Sequence, residues 1–308
     1  MRDRVTPARI AFAANGAHVG SMSFRQILSI GLAALPLAVA SPSRAAGTTE
    51  RIVAPISQLR LSDGTKRYSV PVRVGGRMVE AMLDTGSFGL RVMVNVIPSS
   101  HYQPMPLVRR FHFASGVVLE GMLAKADVAV GAATTESPVV IQIVQSVHCA
   151  VLKPHCPAAQ LDAADYRLGG DGLPRQGFTA ILGLSMRSPS APSPALNPLS
   201  FIGDRRWIIV LPRPSDSAPG ELIINPNQLD MKGFQMFPVS IQASVRDRQS
   251  LHEGEMPGCL GAGTLDQDEC PRVPMDTGTP NALQPFFSYR VLYDQKNGLI
   301  GFKQRKQD

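Results

Sequence analysis

The sequence Asp-Thr-Gly occurs twice in this chain, starting at Asp84 and again at Asp276. The first copy ends an apolar run from Tyr68 to Leu83, and a hydroxyl residue follows each copy, Ser87 in one case and Thr279 in the other. A carboxyl group placed directly after a buried strand is costly, because burial pushes it towards its neutral form. The repetition predicts that Asp84 and Asp276 meet in space and share one proton.

Such a pair of carboxyl groups has a specific chemistry. Two carboxyls about 3 Å apart cannot both ionise, so one keeps a proton while the other is an anion. The anion can take a proton from a bound water while the neutral member donates one to a substrate carbonyl, which is general acid–base hydrolysis without a covalent intermediate. Gly86 and Gly278 allow the two loops to approach closely. The hydroxyls expected to orient the carboxylates belong to Thr85, Ser87, Thr277 and Thr279.

Composition favours an all-β fold. The chain has 308 residues, with 27 glycines and 26 prolines, which suits many short strands joined by turns better than long helices. The net charge is +7, but five arginines and one aspartate fall within the first 45 residues. The remainder has no basic run interleaved with aromatic residues, so nucleic acid is not an expected partner.

The N-terminus reads as a leader. Arg25 precedes an apolar segment, Ile27 to Ala40, which is too short to span a bilayer comfortably. Small residues at Ala38-Val39-Ala40 and at Ser43-Arg44-Ala45 offer two cleavage sites. We therefore expect residues 1–45 to be a signal peptide and the protein to be periplasmic or secreted, with no membrane contact after cleavage. The alternative is a membrane anchor that is not removed.

The four cysteines form two local pairs, Cys149 with Cys156 and Cys259 with Cys270. In an oxidising compartment, two disulfides that close small loops are the simplest of the three possible pairings. The alternative is a zinc site built from Cys149, Cys156 and the preceding histidines, His148 and His155. No other histidine has metal-ligand spacing, so neither a metal nor another cofactor is expected.

Period-two patterns and turn residues predict short strands throughout the remainder. Phe111 to Gly121 reads as a hairpin with Ser115-Gly116 near its tip, and Phe178 to Leu184 as a buried strand. Cys149 to Gly177 is polar and reads as a loop, while 188–198 is a proline-rich linker. The chain is expected to close with a hairpin from Tyr289 to Phe302.

Taken in order, these segments resemble the pepsin-like aspartic proteases, which are related to the retropepsins. Residues 84–92 resemble the first active-site loop of that family, Ile181 to Leu184 the strand that passes through it, and Asp276 to Thr279 the second active-site loop. The resemblance implies a bilobal β fold with one catalytic aspartate from each lobe. It predicts an N-terminal lobe over 46–204, and inter-lobe strands with a short C-terminal lobe over 205–308.

Two departures from the family pattern stand out. The resemblance implies a flap hairpin over the cleft, here with Phe113, Ser115 and Gly116 at its end, and family members usually join a flap tyrosine to a tryptophan. Phe113 and Arg91 occupy those positions, so the hydroxyl is lost. The second lobe must also be small, and residues 282–284 lack the apolar-apolar-glycine counterpart of 181–183.

Three functions follow from these observations. The first is an aspartic endopeptidase that cleaves peptides or unfolded proteins with Asp84 and Asp276 as a monomer. The second is a catalytically inactive binding module that holds peptides or proteins in the same cleft, which the short second lobe favours. The third is a retropepsin-like homodimer in which Asp84 from two chains forms the pair and Asp276 is idle.

Overall fold

The computed structural model of the chain describes residues 50–186, 195–239, 253–260 and 271–306. The expected signal peptide over 1–45 lies outside these residues. So do Cys270 and residues 188–194 of the predicted proline-rich linker.

The described residues form strands joined by turns, as the composition predicted. The strands are β1 (Ile52–Arg60), β2 (Lys66–Val74), β3 (Arg77–Asp84), β4 (Phe88–Met93), β5 (Gln103–His112), β6 (Val117–Ala126), β7 (Val128–Val130), β8 (Ala133–Thr134), β9 (Val139–Cys149), β10 (Ala180–Leu184), β11 (Arg206–Val210), β12 (Gly220–Ile224), β13 (Gln235–Pro238), β14 (Glu255–Pro257), β15 (Arg272–Pro274), β16 (Tyr289–Asp294) and β17 (Leu299–Gln304). The α-helices in this part of the chain are short: α1 (Gln228–Met231) and α2 (Gln284–Ser288). The all-β class is confirmed.

One large sheet carries most of these strands. Its order is β13-β17-β16-β11-β12-β1-β2-β3-β10-β4-β9-β6-β5, with β7 and β8 attached to β2. β10 lies between β3 and β4, parallel to the first and antiparallel to the second, so it passes through the loop that joins them. Gly183 is required there, because a Cβ atom would lie 2.6 Å from the carbonyl carbon of Phe88. This crossing fixes the end of β3, where Asp84 stands.

The core follows from alternation along the strands. In β2, Tyr68, Val70, Val72 and Val74 are buried, while Pro71 is partly covered and Arg73 is exposed; Ser69, between the first two, is also buried. The turn after β2 uses two glycines with positive φ, the conformation that a tight hairpin needs. On the far side of the sheet, Trp207 stacks on Tyr293 with ring centroids 5.7 Å apart, so β11 and the closing hairpin share one core.

The second Asp-Thr-Gly copy is carried by a much smaller assembly. β14 and β15 form a separate two-stranded sheet of three residues each, and a 3₁₀ turn at Pro280–Ala282 and helix α2 follow. β14 was not among the strands predicted from the sequence. The reduction of the second lobe stays a prediction.

The sheet runs without a break from β1 to β12 and on to β16. The boundary between 204 and 205 therefore stays a prediction. Within the described ranges, no helix has the length and apolar character needed to span a bilayer.

Candidate active site

Asp84 and Asp276 reach the same place from opposite parts of the chain. Asp84 is the last residue of β3, pairs with Gly183 of β10 and is 4% exposed. Asp276 follows β15 by two residues and is partly exposed. Its amide nitrogen donates to the carbonyl oxygen of Ala282 at 3.0 Å, so the turn after the motif holds the Asp276 backbone in place.

The two carboxyl groups share a donor. The amide nitrogen of Gly86 lies 2.9 Å from Oδ1 of Asp84 and 3.0 Å from Oδ1 of Asp276. A Cβ atom on Gly278 would lie 2.5 Å from Oδ1 of Asp84, so each loop passes against the carboxyl of the other. The expected meeting of Asp84 with Asp276 is present in the structure.

Each carboxyl is also held by a hydroxyl of its own loop. Ser87 Oγ donates to Oδ2 of Asp84 at 2.6 Å, and Thr279 Oγ1 donates to Oδ2 of Asp276 at 2.7 Å. The amide nitrogen of Gly278 adds a bond of 2.7 Å to Oδ1 of Asp276. The two loops therefore present their carboxyls in nearly equivalent ways.

Thr85 and Thr277 join the loops beneath the carboxyls. The amide nitrogen of Thr85 donates to Oγ1 of Thr277 at 2.9 Å, and the amide nitrogen of Thr277 donates to Oγ1 of Thr85 at 3.0 Å. The Thr277 hydroxyl donates onward to the carbonyl oxygen of Leu83 at 2.8 Å. Both threonines are buried, so this contact fixes the spacing of the aspartates.

Burial makes the two carboxyls unequal. Desolvation raises the pKa of Asp84 to about 7, and the negative charge of Asp276 acts in the same direction. The hydrogen bond from Ser87 opposes both effects without cancelling them. Burial therefore favours the protonated form of Asp84.

The flap is the hairpin of β5 and β6, which is longer than the predicted Phe111 to Gly121. Phe113 and Ser115 line the cleft, and Gly116 closes the turn with φ +94°. The ring over Arg91 is that of Phe111, whose centroid lies 3.5 Å from the guanidinium carbon, and Phe113 packs edge-on against Phe111 with centroids 5.0 Å apart. The cation–π contact between Arg91 of β4 and Phe111 of the flap thus joins the two elements. It stands where the sequence predicted that the tyrosine hydroxyl contact is lost.

Arg91 is itself buried at 2% exposure. It donates to the carbonyl oxygen of Phe88 at 2.6 Å, and burial lowers its pKa to about 9. The contact with Phe111 therefore lies in a desolvated site, where such contacts are strongest.

The flap tip is fastened to the loop that follows β9. Cys149 and Cys156 form a disulfide, which confirms the predicted pairing and removes both sulfurs from the alternative zinc site. The amide nitrogen of Ala150 donates to the carbonyl oxygen of Gly116 at 2.7 Å, and Nζ of Lys153 donates to that of Ala114 at 2.5 Å. Cys259 is also disulfide-bonded, while its expected partner Cys270 lies outside the described residues.

A cleft of about 240 Å³ opens in front of the carboxyls. Its walls come from the flap, from the ends of the two Asp-Thr-Gly loops and from the predicted loop over Cys149 to Gly177, which contributes Pro157, Tyr166 and Gly169. Met82 and Ile181 form an apolar floor.

Sequence reasoning missed two charged residues near this cleft. Arg67 precedes the apolar run that starts at Tyr68, yet it lies in β2 and lines the cleft. Glu253, two residues before β14, is 3% exposed and accepts hydrogen bonds from the Ser185 hydroxyl and, at 2.5 Å, from the Met186 amide. The neighbouring Gly254 accepts from the Met275 amide at 2.8 Å, so this segment braces the residue before Asp276. A positive charge directly before an apolar run was the one sequence feature that could have pointed to Arg67. No local sequence feature pointed to the burial of Glu253.

Chemically, the site has one proton donor, one carboxylate beside it and a hydrogen-bonded backbone that holds them together. Such a pair can bind a water and polarise a carbonyl at the same time. Among the described residues, no cluster of three or more possible ligands suggests a metal. The arrangement fits hydrolysis of an acyl bond.

Comparison with known proteins supports the fold. No family model and no curated protein matches the sequence. Among solved structures, the chain is similar to the aspartic proteinase from Irpex lacteus, with a TM-score of 0.52 and 12% identity over 83% of this chain and 98% of that one. At this identity the likeness shows the fold alone, and it confirms the expected all-β, pepsin-like fold.

Proposed function

We propose that this protein is an aspartic endopeptidase in which Asp84 and Asp276 activate one water molecule. The single observation that carries the proposal is the Gly86 amide, which lies within hydrogen-bond distance of both carboxyl groups. Two carboxyls held so close to one donor are close enough to bind a common water.

The unequal burial of the carboxyls assigns their roles. Asp84, with its raised pKa, donates its proton to the oxygen of the scissile carbonyl. Asp276 accepts a proton from the water as the water oxygen bonds to the carbonyl carbon, which gives a tetrahedral diol. The C–N bond then breaks, its electron pair stays on nitrogen, and that nitrogen takes the proton from Asp276. A hydroxyl proton of the diol returns to Asp84, which restores the starting state.

The substrate we propose is an extended peptide or an unfolded protein. Apolar residues of the sheet and of the flap line the cleft, among them Met82, Ile181 and Phe113, and these can pack against substrate side chains. Export to the periplasm or the medium fits the Cys149–Cys156 disulfide, because such bonds persist in oxidising compartments.

The single-chain form is favoured over a homodimer that uses Asp84 alone. Asp276 of the same chain already supplies the second carboxyl, and the mutual bonds between Thr85 and Thr277 hold it there. The second candidate is the inactive binding module, which the small size of the β14–β15 sheet favours.

The deciding experiment is cleavage of an unfolded protein between pH 3 and 7. Asp84→Asn and Asp276→Asn should each lower the rate by at least about 10²–10⁴-fold, the usual contribution of a general acid or base. Asp127→Asn is the matched control, because that exposed carboxyl lies away from the cleft. Loss in Asp84→Asn alone would favour the homodimer, and a wild-type protein that binds but does not cut would favour the binding module.

A further inference from the structure

The cleft contains a positive charge that the proposed reaction does not use. Of the side chains lining it in the described part of the chain, Arg67 carries the one permanent positive charge, and His112 is the other basic group. Nε of Arg67 donates to the carbonyl oxygen of Gly169 at 2.8 Å, and Nη1 donates to that of Gly278 at 3.3 Å. Gly169 and Gly278 both line the cleft, so the guanidinium lies between two of its walls.

These bonds orient Arg67 but do not neutralise it. Carbonyl oxygens carry no net charge, and among the described residues the guanidinium donates to no carboxylate. It has five N–H donors, and two of them are used. Burial lowers the pKa of Arg67, which reflects an incompletely solvated charge, while Asp63, Asp276 and Asp84 act in the opposite direction from a distance.

We propose that Arg67 makes the cleft selective for peptides with an acidic side chain close to the scissile bond. The proposal rests on the proposed function, since it names the substrate class of the same site. A guanidinium with two N–H groups fixed and three free binds a carboxylate in a defined orientation, and the charge-assisted bonds are stronger than those to an amide. Apolar side chains, Ile181 among them, also line the cleft and can pack against the methylene groups of a glutamate.

The negative charge of the carboxyl pair opposes this preference. That charge faces the peptide backbone and its bound water, whereas the acidic side chain would be in direct contact with Arg67. Because Coulomb energy falls with distance, the direct contact outweighs the more distant repulsion. The competing view is that Arg67 only ties β2 to Gly169 and Gly278. In that case a substitution would weaken all substrates equally and create no charge preference.

The test uses the whole protein and matched peptides. Each member of a peptide series carries Glu, Gln or Lys at one of the three positions on either side of the cleaved bond. A parallel series contains a hydroxyethylene unit that cannot be cut. At one position we expect the Glu peptide to exceed the Gln peptide by about 10-fold in kcat/KM and in affinity, a difference of one charge-assisted contact.

Variants then assign the preference. In Arg67→Met the ratio of Glu to Gln should fall to within about two-fold, and in Arg67→Glu the Lys peptide should become the best of the three. Arg73→Met is the control, because Arg73 is exposed on the same strand and away from the cleft, and it should keep the wild-type ratio. The Glu-to-Gln comparison in the wild-type protein needs no variant, so a failure of Arg67→Met to fold would leave the test intact.

The outcomes separate this inference from the proposed function. Cleavage without a preference between Glu and Gln overturns the role of Arg67 and leaves the peptidase standing. A Glu preference in binding of the hydroxyethylene peptides without any cleavage supports Arg67 and overturns the peptidase. Equal binding of all three peptides by the wild-type protein overturns the inference whatever the activity.

Discussion

Thr85 and Thr277 exchange hydrogen bonds across the two halves of the site, with the amide of each donating to the hydroxyl of the other at 2.9 and 3.0 Å. They lie 192 residues apart in the sequence, and Thr277 is fully buried. Because both threonines are buried, water does not compete for either hydrogen bond, and the pair holds the two loops together.

The first prediction concerns that fastening. Thr277→Val keeps the shape of the side chain but removes its hydroxyl, which leaves the Thr85 amide and the Leu83 carbonyl unpaired. The free energy of unfolding should fall by about 2–4 kcal/mol, the cost of two buried unpaired groups. Urea denaturation measures this free energy of unfolding. Thr277→Ser keeps the hydroxyl, so its free energy of unfolding should fall by less than about 1 kcal/mol. Equal losses in both variants would contradict the role of the hydroxyl.

The second prediction concerns pH. Burial and Asp276 raise the pKa of Asp84 from 3.8 to about 7, so the folded state binds this proton more tightly than the unfolded state. The resulting stabilisation is fully present below about pH 4 and is lost as the pH rises through 7, with a magnitude on the order of a few kcal/mol. Thermal unfolding of wild-type protein and Asp84→Asn between pH 4 and 8 tests it.

The stability of the wild-type protein should fall relative to that of Asp84→Asn as the pH is raised over this window. Asp127→Asn should follow the wild-type profile, because its carboxyl is exposed. Parallel profiles for wild type and Asp84→Asn would mean that Asp84 titrates normally.

The sequence predicted the site better than it predicted the flap. Asp84 and Asp276 were identified because Asp-Thr-Gly occurs twice and a hydroxyl residue follows each copy, a pattern that is visible in the sequence alone. The flap hairpin was predicted to start at Phe111, but β5 begins at Gln103. Pro104 and Pro106 argued against a strand there, because proline has no amide hydrogen to donate to a neighbouring strand. The structure accommodates them because β5 is an edge strand whose pairing with β6 is interrupted between Pro104 and Val108.

Long-range contacts account for what the sequence did not show. β9 continues to Cys149, where the sequence predicted the start of a loop, because β6 pairs with it up to that residue. The polar residues there face outward and so do not follow a buried pattern. Glu253 is buried by partners that lie 67 and 68 residues away, which no local pattern encodes.

The third prediction concerns Gly278. A Cβ atom there would lie 2.5 Å from Oδ1 of Asp84, so Gly278→Ala must push the two loops apart. The rate of peptide cleavage should fall by about 10²-fold or more, because a displacement near 1 Å suffices for that. Gly254→Ala is the control, since its Cβ would lie 3.6 Å from the nearest atom, the carbonyl oxygen of Met275. Normal activity in Gly278→Ala would show that the loops need no close approach.

The last prediction concerns the fastening of the flap tip. Lys153 donates to the Ala114 carbonyl, and Ala150, next to the Cys149–Cys156 disulfide, donates to Gly116. Cys156→Ser, made together with Cys149→Ser, removes a cross-link worth about 2–3 kcal/mol for a loop of this length, and Lys153→Met removes the bond to Ala114. Both variants should speed hydrogen exchange of the amides at 113–117 and raise KM more than they lower kcat, because the flap must then be ordered by the substrate.

Lys125→Met is the matched control for the flap, because Lys125 is exposed on the same strand but at the end remote from the tip. It should leave both hydrogen exchange and KM unchanged. If the amides at 113–117 exchange as slowly in the disulfide variant as in the wild-type protein, the pairing of β6 with β9 alone holds the flap. The disulfide would then stabilise the loop that lines the cleft. Its loss should change the cleft wall at Pro157 and Tyr166 and leave the hydrogen exchange of the flap tip unchanged.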